Sequence, residues 1–94
     1  MLERIKKALR ISSSTLDAEI AGYMKACLAD LRQYGIDPGL VNQNTTDELI
    51  ITAVIHYCRW QFNFEGNAER YEKMYKDMYQ VLSLRGDYNG TDER

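Results

Sequence analysis

The segment LRISSSTLDAEIAGYMKACLADLRQYGI, residues 9–36, decides the fold class of this chain. Three consecutive serines interrupt a short helical pattern, and a long amphipathic pattern then continues to a glycine. In the long pattern, apolar residues recur every three or four positions, which places them on one face of a helix. The residues of this face are Leu16, Ile20, Met24, Cys27, Leu28 and Leu31. The charged residues opposite form no arrangement typical of an active site, so the segment predicts packing and assembly rather than catalysis.

Three more segments of the chain carry a helical pattern. A short amphipathic repeat opens the chain, and two long ones follow residue 45. The predicted helices span about residues 2–10, 15–34, 46–62 and 68–84. Gly35 and Gly66 are the predicted stops, because glycine adopts the left-handed conformation of a helix end at no steric cost. The sequence therefore predicts an all-α fold: a small bundle of a short N-terminal helix plus three longer helices.

The predicted domain is single and runs over residues 1–86, with Gly86 at the end of the last helix. Residues 87–94 are polar and are predicted to form a flexible tail. Thr45 and Glu48 have the spacing of a capping box that would begin the third helix. The positions expected in the core include Leu28, Leu31, Leu49, Ala53, Val54 and Met78.

Composition and charge limit the class of protein. A chain of 94 residues, 45% of them hydrophobic, is expected to form one domain with a modest core. Its net charge of −2 does not favour unspecific binding to DNA. Cys27 and Cys58 fall at apolar helix positions, so we expect buried free thiols and a reducing, intracellular setting. The sequence shows neither a secretion leader nor an apolar run of ~18 residues, so no membrane segment is expected.

The sequence contains no pattern typical of an enzyme. Its one histidine, His56, has Thr52 and Trp60 four residues away, and neither is a partner for acid–base catalysis. A packing role is therefore favoured for this histidine. The sequence has no glycine-rich phosphate loop or nucleophile elbow, and its cysteines lack the ligand spacing of a zinc site. We expect no enzymatic activity, no metal and no cofactor.

Aromatic residues are concentrated in the second half of the chain. Tyrosines recur at steps of four on the last predicted helix, and further rings precede it. Short helices offer little room for so many rings, so self-association is expected to cover the surplus. Base stacking is disfavoured because few cations lie among the rings, whereas burial in the chain's own core is the alternative. The predicted oligomer or partner interface comprises Tyr71, Tyr75, Tyr79, Trp60 and Tyr88.

A basic cluster lies on the first predicted helix, where Arg4, Lys6, Lys7 and Arg10 outnumber Glu3. Such a cluster is more often a solvated face than a nucleic-acid site. A helix-turn-helix reader would need a polar, basic recognition helix, and the third predicted helix is largely apolar. Sequence-specific reading of DNA is therefore disfavoured, and contact of the basic helix with DNA is left as an alternative.

The order of these elements and the amino-acid sequence of the long helix resemble those of the phage head-tail connector proteins, the family of the HK97-type connector. Members of this family are also described as phage DNA-packaging proteins. The resemblance extends to about residue 84 and rests on packing signatures. The matching stretches are 9–11 (LRI), 16–20 (LDAEI), 29–31 (ADL), 35–36 (GI), 47–50 (DELI) and 53–54 (AV), followed by an aromatic segment and a tyrosine-bearing last helix.

The resemblance implies an all-helical structural protein without catalytic residues. Proteins of this family assemble as a ring on the portal after DNA is packaged, and the ring provides the docking site for later head–tail joining components. The implied partners are further copies of the chain, the portal protein and a downstream joining or stopper protein. DNA would traverse the ring without sequence-specific binding, and no membrane is involved. The implied location is the head–tail junction of a phage or prophage virion, after synthesis in the cytoplasm of the bacterial host.

Two other interpretations stand beside this one. The first is a small helical nucleic-acid-binding protein, such as a terminase small subunit, a function that needs a basic face and a helix that reads DNA. The other alternative is a helical adaptor whose partner is unrelated to phage.

Overall fold

The computed structural model describes residues 1–88, and this part of the chain contains four α-helices and two short 3-10 turns. The helices are α1 (Leu2–Leu9), α2 (Asp17–Gln33), α3 (Glu48–Gln61) and α4 (Ala68–Leu84). The 3-10 turns are Phe64–Gly66 and Gly86–Tyr88. The predicted all-α bundle of one short and three longer helices is confirmed. Residues 89–94, which belong to the predicted tail, lie outside the described residues.

The central helix of the bundle is α3. It packs against α1, α2 and α4, and its most extensive contact is with α4. The loop between α2 and α3 adds Ile36 and Val41 to the core, so this long connection is part of the packed structure. No helix in residues 1–88 is both long and apolar enough to cross a membrane.

The predicted core is confirmed in its centre and wrong at one edge. Four of the six expected positions are buried: Leu28, Leu31, Ala53 and Val54. Met78 is half-buried and packs against the core. Leu49, however, is 39% exposed, because it lies in the first turn of α3, on a side that no neighbouring helix covers completely. The apolar arc of α3 is therefore wider than the surface that its neighbours bury.

The start of α3 differs from the predicted capping box. The N-cap residue is Asp47, whose Oδ1 accepts hydrogen bonds from the backbone N–H groups of Leu49 (3.0 Å) and Ile50 (3.1 Å). The hydroxyl of Thr45 instead accepts a hydrogen bond from the N–H of Asp47. The carboxylate of Glu48 pairs with Arg4 of α1 at 2.9 Å and does not reach back to the helix start.

The reversals of the chain use left-handed residues. Gly35 after α2 and Gly66 before α4 have φ values of +83° and +73°, as the sequence predicts. The turn after α3 also uses Asn63, at φ +50°, whose side chain accepts a hydrogen bond from the N–H of Ala68. An asparagine tolerates this conformation better than most residues, and Asn63 lies within the break predicted between residues 62 and 68.

The end of the described chain is a correction to the predicted domain boundary. Tyr88 was expected in a polar tail, but it is only 8% exposed and belongs to the core cluster. Its backbone carbonyl accepts a hydrogen bond from the N–H of Asp37 (2.8 Å), and its phenol donates one to Oδ2 of Asp47 (2.9 Å). An aromatic ring can bury its body and satisfy its hydroxyl at the same time, so a single residue anchors this end. The packed unit therefore continues past Gly86.

Candidate assembly surfaces

An open groove of about 510 Å³ lies between α2 and α4, above α3. We call it the aromatic groove. Its rings belong to Tyr34, Tyr57, Trp60, Tyr75 and Tyr79, and its charged residues are Asp30 and Lys76. Three helices each supply part of this lining, so the groove exists only in the folded chain.

The rings of the aromatic groove contact one another in a continuous series. Tyr34 and Tyr79 stack at 4.0 Å between centroids with an angle of 12°, and Tyr79 meets Tyr75 edge-on at 5.4 Å. Tyr75 in turn contacts Tyr57 at 5.1 Å. Interaction with the neighbouring Tyr79 side chain, and then burial, raise the pKa of the Tyr34 phenol to about 12. Aromatic contacts of this kind hold the rings in place, so the groove is preformed.

The floor of the groove is Tyr75, which is only 1% exposed. Its phenol donates a 2.7 Å hydrogen bond to Oδ2 of Asp30 on α2. Burial, followed by the nearby thiol of Cys27 and the bond to Asp30, raises the pKa of the Tyr75 phenol above its usual value. Tyr75 therefore supports the groove from below and offers almost no surface to a partner.

A second surface lies at the other flank of α4. Val81 and Leu84 are 58% and 86% exposed, and they share one side of the helix because they are three residues apart. Val81 adjoins Leu49 of α3 and the half-buried Met78. We call these four residues the apolar patch. A hollow of about 330 Å³ lies within it, bounded by Asp77 and Arg85.

The predicted interface residues do not form one surface. Trp60 and Tyr79 line the aromatic groove, with Tyr75 beneath them. Tyr71 lies elsewhere, beside Phe64 and below the guanidinium of Arg59. Tyr88 is in the core, as described above. Tyr75 and Tyr88 are 1% and 8% exposed, so each offers little surface for contact in this fold.

Sequence reasoning missed the apolar patch. It placed Leu49 in the core and did not single out Val81 or Leu84. A signal was present, because Asp77 and Arg85 lie four residues on either side of Val81 and so share its side of the helix. A row bounded by two charges is typical of an exposed face rather than a core face.

Tyr71 belongs to a structural corner that joins α1 to the turn after α3. Arg59 donates hydrogen bonds from Nη2 and Nε to the carbonyl of Ala8 (3.0 and 3.3 Å), near the end of α1. The same guanidinium lies over the rings of Phe64 (4.9 Å) and Tyr71 (5.4 Å). This arrangement satisfies a carbonyl at a helix end and fixes the position of α1.

The comparison with protein families supports a role in protein assembly. The profile of a family described as phage connector protein matches residues 1–89. The chain belongs to the phage connector protein family. The match covers every described residue, Tyr88 included, and it confirms the resemblance seen in the sequence. No curated protein and no solved structure matches the chain significantly.

The basic helix of this phage connector family member is largely neutralised by the fold. Arg4 pairs with Glu48 (2.9 Å), and Lys6 pairs with Asp17 (2.8 Å). Arg10 lies 3.4 Å from Glu65. Of the four cations on or next to α1, only Lys7 forms no ion pair within residues 1–88. Nucleic-acid binding depends on free positive charge, so this face is poorly suited to hold DNA.

Phage connectors are structural proteins, and the surroundings of His56 suit a packing role. The imidazole is half-buried beside the ring of Tyr71, and its Nδ1 has no hydrogen-bond partner among the described residues. Burial, and then the charge of Arg59, hold the pKa of His56 below its usual value of 6.5. Within residues 1–88, no three His, Cys, Asp or Glu side chains converge as a metal site would require. Cys27 and Cys58 are separate free thiols, both buried.

Proposed function

We propose that this chain is a subunit of a head–tail connector ring that assembles on the portal and provides the docking site for later head–tail joining components. The observation that carries the proposal is the family match over residues 1–89. A connector joins other proteins and catalyses no reaction, so its function requires surfaces that bind protein.

The aromatic groove and the apolar patch are consistent with such a role. Val81 and Leu84 leave large aliphatic side chains in water, and Tyr34 leaves an aromatic one. Contiguous apolar surface on a small protein commonly marks a site of protein–protein contact. Tyr, Trp and apolar side chains are also the types enriched at the centre of such contacts. Two surfaces of this kind on a domain of this size support a subunit with more than one neighbour.

The function we propose needs no recognition of DNA. DNA would pass through the ring during ejection, and a channel protein gains nothing from holding it tightly. The ion pairs of Arg4, Lys6 and Arg10 support this interpretation, since they reduce the free positive charge of α1. The alternative of a terminase small subunit has no observation in its favour.

The proposal is tested by co-expressing the full chain with the portal protein of the same genome. The portal is then purified through its own tag and analysed by native mass spectrometry and negative-stain electron microscopy. We expect several copies of the chain on each portal assembly and an added ring of density at one end. The portal of an unrelated phage, treated in the same way, is the control and should carry no bound chain.

Two results would overturn the proposal. The first is a folded chain, verified by circular dichroism, that never co-purifies with its own portal. The second is a shift of duplex DNA by the free chain at moderate salt without portal binding, which would favour the terminase alternative.

A further inference from the structure

We propose that neighbouring copies of this chain meet by packing the apolar patch of one copy into the aromatic groove of the next. The inference rests on the proposed ring, and it assigns the two surfaces that hold the ring together. It concerns a second copy of this chain as the occupant of the groove.

The first argument is the placement of the two surfaces on α4. Tyr79 of the groove and Val81 of the patch are two residues apart, so their side chains point about 200° apart around the helix axis. Two unlike surfaces on opposite flanks are what a head-to-tail contact requires, because each copy then offers one surface to each neighbour. A two-fold dimer would instead need one self-complementary surface and would stop at two copies.

The second argument is the chemistry of the two surfaces. The patch presents the exposed aliphatic side chains of Val81 and Leu84. The groove presents rings, and the small side chains of Ala26 and Ala29 leave space along its α2 wall. Aliphatic groups packed against preformed aromatic rings bury apolar area on both sides of the contact.

The third argument is the charge at the edges. The patch is bounded by the acid Asp77 and the base Arg85, whereas the groove carries the base Lys76 and the acid Asp30. In one orientation, Asp77 meets Lys76 of the next copy and Arg85 meets Asp30 of the next copy. The reverse orientation brings like charges together, so the four groups select a single direction of packing.

The existing contacts of Asp77 and Lys76 allow the exchange, and the guanidinium of Arg85 lies 5.1 Å from the centre of the Tyr88 ring. Asp77 is bound by Lys73 and Lys76 is bound by Glu72, and both pairs are surface contacts between residues four apart on α4. Exposed pairs of this type contribute little to stability, so little free energy is lost when they break and form again across an interface. Asp30 uses Oδ2 for the phenol of Tyr75, and within residues 1–88 its Oδ1 has no hydrogen-bond donor.

Site-directed disulfide formation tests the inference. Val81→Cys and Ala29→Cys chains are prepared separately, mixed on the cognate portal and oxidised. We expect a disulfide between the two different chains in the mixture and almost none when either variant is oxidised alone. The wild-type chain is the control for Cys27 and Cys58, which are buried and should not cross-link.

The outcomes separate this inference from the proposed function. Efficient cross-linking of Val81→Cys chains to each other would show a two-fold contact and would overturn the inference. Rings that form on the portal without any disulfide in the mixture would also overturn it, while the proposed function would stand. Failure of the wild-type chain to bind the portal would instead overturn the proposed function.

A matched pair of lysine variants provides a second measurement. Val81→Lys and Gln80→Lys place the same charge on neighbouring exposed positions of α4, but only Val81 lies in the apolar patch. We expect Val81→Lys to weaken association of the copies by about tenfold or more, with an unchanged circular dichroism spectrum. Gln80→Lys should associate like the wild type, and equal loss of association in both variants would contradict the inference.

Discussion

The phenol of Tyr88 donates a hydrogen bond to Oδ2 of Asp47 at 2.9 Å, while Oδ1 of the same carboxylate caps the first turn of α3. The side chain of Asp47 therefore binds backbone N–H groups at the start of the central helix and also holds the final turn of the described chain. The ring of Tyr88 is buried beside this bond, so the residue contributes both apolar area and a charge-assisted hydrogen bond. This contact extends the packed unit past α4.

We predict that this contact stabilises the domain. Tyr88→Phe removes only the hydroxyl and should lower the free energy of unfolding by about 1 kcal/mol. Tyr88→Ala also removes the ring and should cost about 3 kcal/mol. Urea unfolding followed by circular dichroism measures both values. A chain ended after Gly86 that unfolds at the same urea concentration as the full chain would contradict the prediction.

A double-mutant cycle tests whether Tyr88 and Asp47 stabilise the domain through their hydrogen bond. Asp47→Ala alone should cost ~0.5–2 kcal/mol through loss of the helix cap. In the Asp47→Ala background, Tyr88→Phe should cost less than it does in the wild type, because its partner is already missing. Strict additivity of the two substitutions would show that the bond contributes nothing to stability.

We predict that two leucines with similar sequence patterns respond differently to truncation. Leu28 is buried in α2, so Leu28→Ala should cost ~2–5 kcal/mol of unfolding free energy. Leu49 is partly exposed in the apolar patch, so Leu49→Ala should cost less than about 1 kcal/mol. Thermal or urea unfolding of the two variants side by side checks the difference. Equal losses would place Leu49 in the core after all.

We predict that both cysteines are unreactive in the folded chain. Burial raises the pKa of the Cys58 thiol to about 12, and it raises the pKa of the Cys27 thiol further above its usual value. Because the thiolate is the reactive form, a disulfide reagent at about pH 8 should modify neither residue. Both should react once urea unfolds the chain. Rapid modification of either thiol under native conditions would show that its helix opens readily.

We predict that His56 makes the fold less stable at mildly acidic pH. Its pKa in the folded chain is lowered from 6.5, so the unfolded chain binds a proton at higher pH than the folded chain does. The unfolding free energy should therefore fall as the pH drops below about 6.5, toward the lower pKa of the folded state.

The His56→Gln variant separates this effect from the titration of carboxylates. Its unfolding free energy should fall less than that of the wild type between about pH 7 and pH 5. An NMR titration of the imidazole measures the folded-state pKa directly. Parallel pH profiles for the wild type and the variant, or an imidazole pKa above 6.5, would contradict the prediction.

Local patterns in the sequence were sufficient to predict the helices and much of their packing. The repeat of Ile20, Met24 and Leu31 predicts the buried face of α2, and all three residues are buried. Glycines mark two chain reversals because a positive φ is a local requirement of the backbone. Features that depend on a single segment and its periodicity can thus be derived before any tertiary contact is known.

The tertiary structure alone decided which apolar and aromatic residues remain exposed. Leu49 and Leu28 have the same side chain, but only the arrangement of the neighbouring helices leaves Leu49 exposed. In the same way, Tyr75 and Tyr79 lie one turn apart on α4, yet the first bonds to Asp30 as the floor of a groove and the second stacks on Tyr34. Sequence periodicity gives the direction of each side chain from its own helix axis. Whether the side chain is buried depends on which other segments of the chain lie in that direction. Long-range packing decides where those segments lie.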